Sequence, residues 1–166
     1  MIREGNKTMS AYKTIKTNMT NAAVLKAALE QAKPEWKGKV EIPEAGKTIT
    51  IRGDSTMKGE LKITKSNAGT YSDIGVVRDK AGNLSWKISD VDTGDYYGDA
   101  STRESKGKLF GPDWQKSMGA EYALVETCAH VASKGAQIGQ RQTFTHPQWG
   151  KVPGVKCRIK KSSAIS

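Results

Sequence analysis

Cysteine is scarce in this chain: 166 residues contain two, Cys128 and Cys157, too few for the disulfide framework of a small secreted domain. Both suit a reducing compartment, as packed core thiols. Histidine is equally rare, with only His130 and His146 to act as a general base near neutral pH. No apolar run approaches the roughly 18 residues that would cross a bilayer, and the first eight residues lack the apolar centre of a signal peptide. There is no G-x-S-x-G elbow, no Walker loop and no G-x-G-x-x-G; the glycines fall singly in turns. Glu121 and Glu126, five apart on a helix, point to different sides. These absences argue against membrane, secreted and fibrous classes. They leave a cytoplasmic protein with no cofactor and no evident catalytic residue.

Positive charge is plentiful. Lys and Arg number 27 against 17 Asp and Glu, a net +10. Residues 1–66 hold 13 basic and 7 acidic groups, residues 67–113 hold 6 and 8, and residues 114–166 hold 8 and 2. The ends are basic and the middle mildly acidic. A balance of this kind favours polyanionic partners through phosphate contacts and counterion release, and says nothing about which sequence is read.

The hydrophobic pattern predicts a single α+β domain over residues 10–161, between tails at 1–9 and 162–166. Residues 11–17 alternate as a half-buried strand does. Thr20 or Asn21 is placed to cap a helix over 22–32, where Val24, Leu25, Ala28, Leu29 and Ala32 share one face before Pro34 stops it. Short alternating segments at 39–42, 48–52, 60–64, 73–78 and 84–89 predict an antiparallel meander. Asp79-Lys80-Ala81-Gly82-Asn83 is its best hairpin loop. Residues 90–108 show no period and read as a long loop. Pro112 and Asp113 open a second helix, on which Trp114, Met118, Tyr122, Val125, Ala129 and Ala132 predict a buried stripe about six turns long, ended by Lys134 and Gly135. A closing hairpin of strands 136–144 and 155–160 follows, joined by a loop over 145–153. The order strand, helix, strands, helix, strands implies an antiparallel sheet with two amphipathic helices packed on one face.

Four groups of residues invite a chemical reading. Cys128, His130, His146 and Cys157 match a structural zinc in number, but Cys128 and His130 lie about 200° apart around a helix and no finger or ribbon spacing is present. No metal is expected there. Asp90, Asp92, Asp95 and Asp99 with Tyr96 and Tyr97 open like a calcium loop, yet Gly94 stands where a fifth-position oxygen is wanted and Ser101 where the twelfth-position glutamate belongs. What remains is an acidic aromatic loop able to meet a basic partner. On the closing hairpin Lys156, Arg158 and Lys160 fall on one strand face, followed by Lys161, with Arg141 and Lys151 near that row. Alternation alone would give the same residues as a solvent face. Trp149 in the hairpin loop is either an exposed contact aromatic, stacking on a base or anchoring a protein, or a ring folded back onto the sheet.

Met9-Ser10-Ala11-Tyr12-Lys13-Thr14-Ile15-Lys16-Thr17, then Leu25-Lys26-Ala27-Ala28-Leu29, then the helix from Tyr122-Ala123 to Ala132-Ser133-Lys134-Gly135 feeding a final hairpin, resemble a family of small uncharacterised proteins of algal plastid genomes, cyanobacteria and some phages. The resemblance covers most of residues 9–160 and departs where Ala11 replaces the family's usual histidine. It implies a small α+β fold, an intracellular life in a plastid stroma or phage-infected host cytoplasm, and Met9 as the natural start. It supplies no catalytic residue.

The leading expectation is a noncatalytic basic protein whose closing hairpin contacts nucleic acid or a nucleoprotein. A protein-interaction module, such as a phage-encoded accessory or inhibitor using the acidic loop, is the alternative. An enzyme using His130 or His146 comes third.

Overall fold

A computed structural model describes residues 11–51, 57–95, 110–148 and 150–159. Strand β1 (Tyr12–Lys16) leads into helix α1 (Ala22–Ala32). The Asn21 side chain caps that helix, accepting from the backbone N–H groups of Ala23 and Val24 at 3.0 and 3.1 Å. Two short strands, β2 (Ile49–Thr50) and β3 (Lys58–Gly59), pair with each other, and β4 (Leu61–Ile63) follows. After a one-turn helix α2 (Lys65–Ala68), β5 (Ile74–Arg78) and β6 (Leu84–Ser89) form a hairpin around Gly82, whose φ of 90° suits the absence of a side chain. A second one-turn helix, α3 (Asp90–Thr93), ends the meander. The long helix α4 (Pro112–Ser133) comes next, and β7 (Gln137–His146) and β8 (Gly150–Arg158) close the chain.

The molecule is α+β. One antiparallel sheet has the order β1-β6-β5-β4, so the meander β4-β5-β6 is extended by the first strand of the chain. Register places Ile15, Trp86, Val76 and Leu61 in one cross-strand row. Leu84, Ile88, Ile63 and Ile74 share that face by alternation. Leu25, Ala28 and Leu29 of α1 and Met118 and Tyr122 of α4 pack against it to form the core. An aromatic chain runs through this core: Trp36 stacks on Phe110 at 6.1 Å, Phe110 meets Trp114 edge-on at 4.9 Å, and Trp114 lies 5.0 Å from Trp86.

Two polar devices tie the layers together. Arg78 grips Glu60 through two parallel bonds of 2.6 and 2.7 Å and donates its remaining nitrogen to the carbonyls of Thr20 and Gly82. One planar guanidinium thereby joins the meander to the β1–α1 connection. The Tyr122 hydroxyl accepts from the backbone N–H groups of Thr20 and Asn21 at 3.2 and 3.0 Å, so α4 supplies one shared acceptor at the entrance to α1. Tyr122→Phe removes that acceptor with almost no change of volume. It is expected to cost about 1–2 kcal/mol, read as a lower urea midpoint at constant m-value, and an unmoved midpoint would refute the role.

The structure corrects three expectations. The stripe on α4 is not buried for six turns: Met118 and Tyr122 are buried and Val125 half-buried, but Ala129 and Ala132 are exposed. The four-stranded sheet covers only the first half of α4. The meander is shorter than its alternation suggests, with Glu41 reduced to an isolated bridge to Lys62. Residues 90–93, read as loop, form α3, with the Ser89 hydroxyl accepting from the Val91 N–H; residues 96–108 of that expected loop lie outside the described residues.

Candidate functional site

Beyond Lys134 the backbone reverses through Gly135, at φ 89°, and β7 runs back along α4. It pairs antiparallel with β8 from Gln137↔Arg158 to His146↔Gly150, as a two-stranded sheet of its own. Pairing continues through the residues read from sequence as the loop 145–153: Thr145 lies opposite Lys151 and Thr143 opposite Pro153. A two-stranded ribbon consists only of edge strands, so Pro153 costs it no central-ladder hydrogen bond. The tip is tight, with Gly150 at φ 70° and the His146 Nδ1 accepting from the Gln148 N–H at 3.1 Å. Phe144 lies across Gly154, where an added Cβ would meet the ring at 2.6 and 2.7 Å. The ring takes the space a side chain would need.

A register shift between Ile138 and Arg141 sets which residues face the helix. Arg141, Thr143 and Thr145 share a face with Lys151, Pro153, Val155 and Cys157, and this is the inner face, toward α4. Gln142, Phe144 and His146 share the outer face with Val152, Gly154, Lys156 and Arg158. The ribbon does not seat flush. A cavity of about 640 Å3 near the tip is lined by Asp113, Lys116, Ser117, Ala120, Lys151, Val152 and Pro153. Another of about 400 Å3 near the base includes Gln31, Leu124, Cys128, Ile138 and Val155 in its wall.

Arg141 pins the ribbon to α4 by donating from Nη2 to the Glu121 Oε1. Glu121 is buried, and its Oε2 has no hydrogen-bond partner among the described residues. Arg141 therefore neutralises a carboxylate that would otherwise lie alone in a low-dielectric setting. Sequence reading missed this partnership, although a glutamate next to the apolar stripe of an amphipathic helix is itself a signal that a cation must arrive from elsewhere.

The basic row expected on the hairpin is thus divided. Lys156 and Arg158 are exposed together on the outer face; Lys151 is exposed at the tip but springs from the inner face, and Arg141 is engaged by Glu121. Trp149, Lys160 and Lys161 lie outside the described residues. The thiols are not both core groups: Cys157 is exposed and Cys128 half-buried. A lone ribbon is too thin to bury a strand face. Burial pushes the Cys128 thiol pKa up, and nearby Cys157 adds to the effect. Among the described residues no group of three or more His, Cys, Asp and Glu side chains is placed to hold a metal ion.

The acidic stretch is occupied with its own chain. Asp90 accepts from the Ala11 N–H at 3.0 Å. Asp92 accepts from the N–H groups of Tyr71 and Ser72 at 2.8 and 3.2 Å, and Asp95 accepts from the Thr93 hydroxyl at 2.8 Å with the Lys13 ammonium 3.8 Å away. Tyr96, Tyr97 and Asp99 lie outside the described residues. Asp92 is buried, and burial raises its pKa above the usual carboxylate value against the pull of its two backbone bonds. Folded Asp92 therefore holds its proton to a higher pH than the unfolded chain does. Its contribution to stability improves as pH falls through the raised value toward the ordinary value of about 3.9, and worsens as pH rises. The stability of the wild type relative to Asp92→Asn is expected to increase from pH 7 to pH 4.5 in parallel thermal melts; a difference that shrinks on acidification would reverse the assignment.

No helix among the described residues is long and apolar enough to cross a membrane. The fold and the site together define an α+β protein carrying a basic two-stranded arm along its long helix. In comparisons with known proteins, no family model, no curated protein and no solved structure matches this chain.

Proposed function

We propose that this chain is a noncatalytic nucleic-acid-binding protein and that the β7–β8 ribbon makes the contact. The observation that carries the proposal is an exposed arm wholly free of acid: no Asp or Glu follows Glu126, whereas seven Lys and Arg do. Lys151, Lys156 and Arg158 are exposed on that arm. The arm itself carries no carboxylate, so the charge of Lys156 and Arg158 on its outer face is available to phosphates, and each contact releases a condensed counterion. Gln137, Gln140, Gln142, Thr143 and Thr145 are exposed there too, and their amides and hydroxyls are able to bond base edges. Packing gives little reason for such an arm, because an isolated two-stranded hairpin is marginally stable in water and this one stands over cavities.

Fluorescence anisotropy with labelled mixed-sequence oligonucleotides, from 50 to 500 mM salt, tests the proposal. Log affinity is expected to fall linearly with log salt at a slope of about −3 to −4.5, the value for three to five phosphate contacts. Absence of binding at 50 mM salt overturns it. So does capture of a protein partner from lysate that survives both nuclease and half-molar salt, in the absence of any oligonucleotide binding.

A further inference from the structure

The ribbon's return along α4 brings the chain's two cysteines, 29 residues apart in sequence, to one place. Cys128 stands one turn beyond Leu124 on the helix, and both line the cavity of about 400 Å3 beneath the base of the ribbon. Ile138 and Val155 line it from the ribbon. Cys157 pairs with Ile138 in register and lies two residues beyond Val155, so strand alternation turns its side chain inward, toward α4. The influence of Cys157 on the Cys128 thiol pKa accords with that approach. The hollow leaves room for the base of the ribbon to settle until the two Cβ atoms reach the roughly 3.5–4.5 Å of a disulfide.

The two thiols differ in access. Cys157 is exposed and open to a reagent in solution, whereas Cys128 is half-buried in the cavity wall. Packing accounts for Cys128 but gives no reason for a thiol at position 157. We propose that Cys128 and Cys157 form a redox-modification site, in which a low-molecular-weight disulfide of the glutathione class oxidises them to a reversible bridge that fastens the base of the ribbon to α4. The Cys157 thiolate attacks one sulfur of the oxidant, forming a mixed disulfide and expelling one glutathione thiolate; the Cys128 thiolate then attacks the Cys157 sulfur and expels the second. Two protein thiols give up two protons and two electrons, and one molecule of oxidant becomes two thiols. The site is independent of the nucleic-acid reading, because the bridge lies beneath the ribbon and Lys156 and Arg158 lie on its outer face.

The test uses the full reduced chain in buffers of reduced and oxidised glutathione, native and unfolded in urea, quenched with acid and read by intact mass and peptide mapping. The native chain is expected to lose the mass of two hydrogen atoms, remain monomeric and yield one linked peptide pair joining Cys128 to Cys157. Two thiols held close by a fold bridge more readily than the same two at the ends of a 29-residue unfolded segment. The equilibrium constant for bridging should therefore be at least tenfold larger in the native chain than in urea. Cys128→Ser, which removes the resolving thiol, should accumulate one glutathione on Cys157. In Cys157→Ser, Cys128 should be consumed at least tenfold more slowly than in the wild type. Two glutathione adducts on each wild-type chain, a covalent dimer through Cys157, or bridging no more favourable in the native chain than in urea overturns the proposal. None of these readouts involves nucleic acid, so the proposal stands or falls apart from binding by the ribbon.

Discussion

Lys156→Glu combined with Arg158→Glu is expected to lower nucleic-acid affinity about a hundredfold or more near physiological salt, and to make the salt dependence shallower by about two units of slope. Both residues are exposed, both lie on the outer face, and neither makes an ion pair among the described residues. Reversal removes two phosphate contacts and sets two like charges against the polyanion. Stability should scarcely change, since surface substitutions away from special features stay within about 0.5 kcal/mol. Arg141 provides the contrast. Arg141→Gln deprives the buried Glu121 carboxylate of its one partner among the described residues and should cost about 1–3 kcal/mol of stability. That range sits below the usual cost of breaking a buried pair because the Arg141 side chain is 38% exposed and water screens part of the interaction. Adding Glu121→Gln should recover most of the loss. Anisotropy and thermal melts on the same samples separate the two effects. Wild-type affinity and slope in the double reversal would remove the ribbon from the binding site.

The contrast between Lys156 and Arg141 also shows where a single sequence is legible. Helix α1 can be read to its ends because its cap, Asn21, its apolar face and its stop, Pro34, all lie within one short window. The turn at Gly82 is legible for the same reason. That Lys156 and Arg158 share a face follows from strand alternation alone. Which face Arg141 occupies does not follow, because a register shift by one residue exchanges the two sides of a strand and the shift at Gly139 and Gln140 depends on how β8 docks. The partner of Glu121 is illegible for a related reason: the cation arrives 20 residues later, from an element whose path depends on the rest of the fold. Periodicity on α4 marks one face as apolar without saying what will stand on it. The sheet covers Met118 and Tyr122, whereas Cys128 is approached by the end of α1, through Gln31, and by the lifted ribbon.

Ile51 offers a second large effect, in stability. Ile51→Ala is expected to cost about 2–5 kcal/mol and Gly75→Ala about 1–3 kcal/mol, with the double variant costing less than the sum by on the order of 1 kcal/mol. Ile51 has no exposed surface yet stands apart from the helix-side core. Gly75 lies in register between Lys62 and Lys87, so a side chain there would project from the sheet face opposite the helices. An added Cβ at Gly75 would lie 2.7 Å from the Ile51 Cγ1 and 3.0 Å from its Cγ2, and one at Gly59 would lie 2.8 Å from its Cδ1 and 2.7 Å from the Val76 carbonyl oxygen. The two glycines form a hollow that one isoleucine fills. A methyl at position 75 overlaps the whole Ile51 side chain rather than its flexible end, so Ile51 cannot yield by a single rotation. Once Ile51 is truncated, the same methyl enters vacated space and offsets part of the cavity, which makes the substitutions subadditive. Strictly additive urea midpoints would show that the two residues do not share a site. The hollow also accounts for the unbroken Ile74-Gly75-Val76-Val77 run in β5: a strand covered on both faces, by the helices on one side and the β2–β3 arm on the other, has no need of the polar alternation that marks a half-solvated strand.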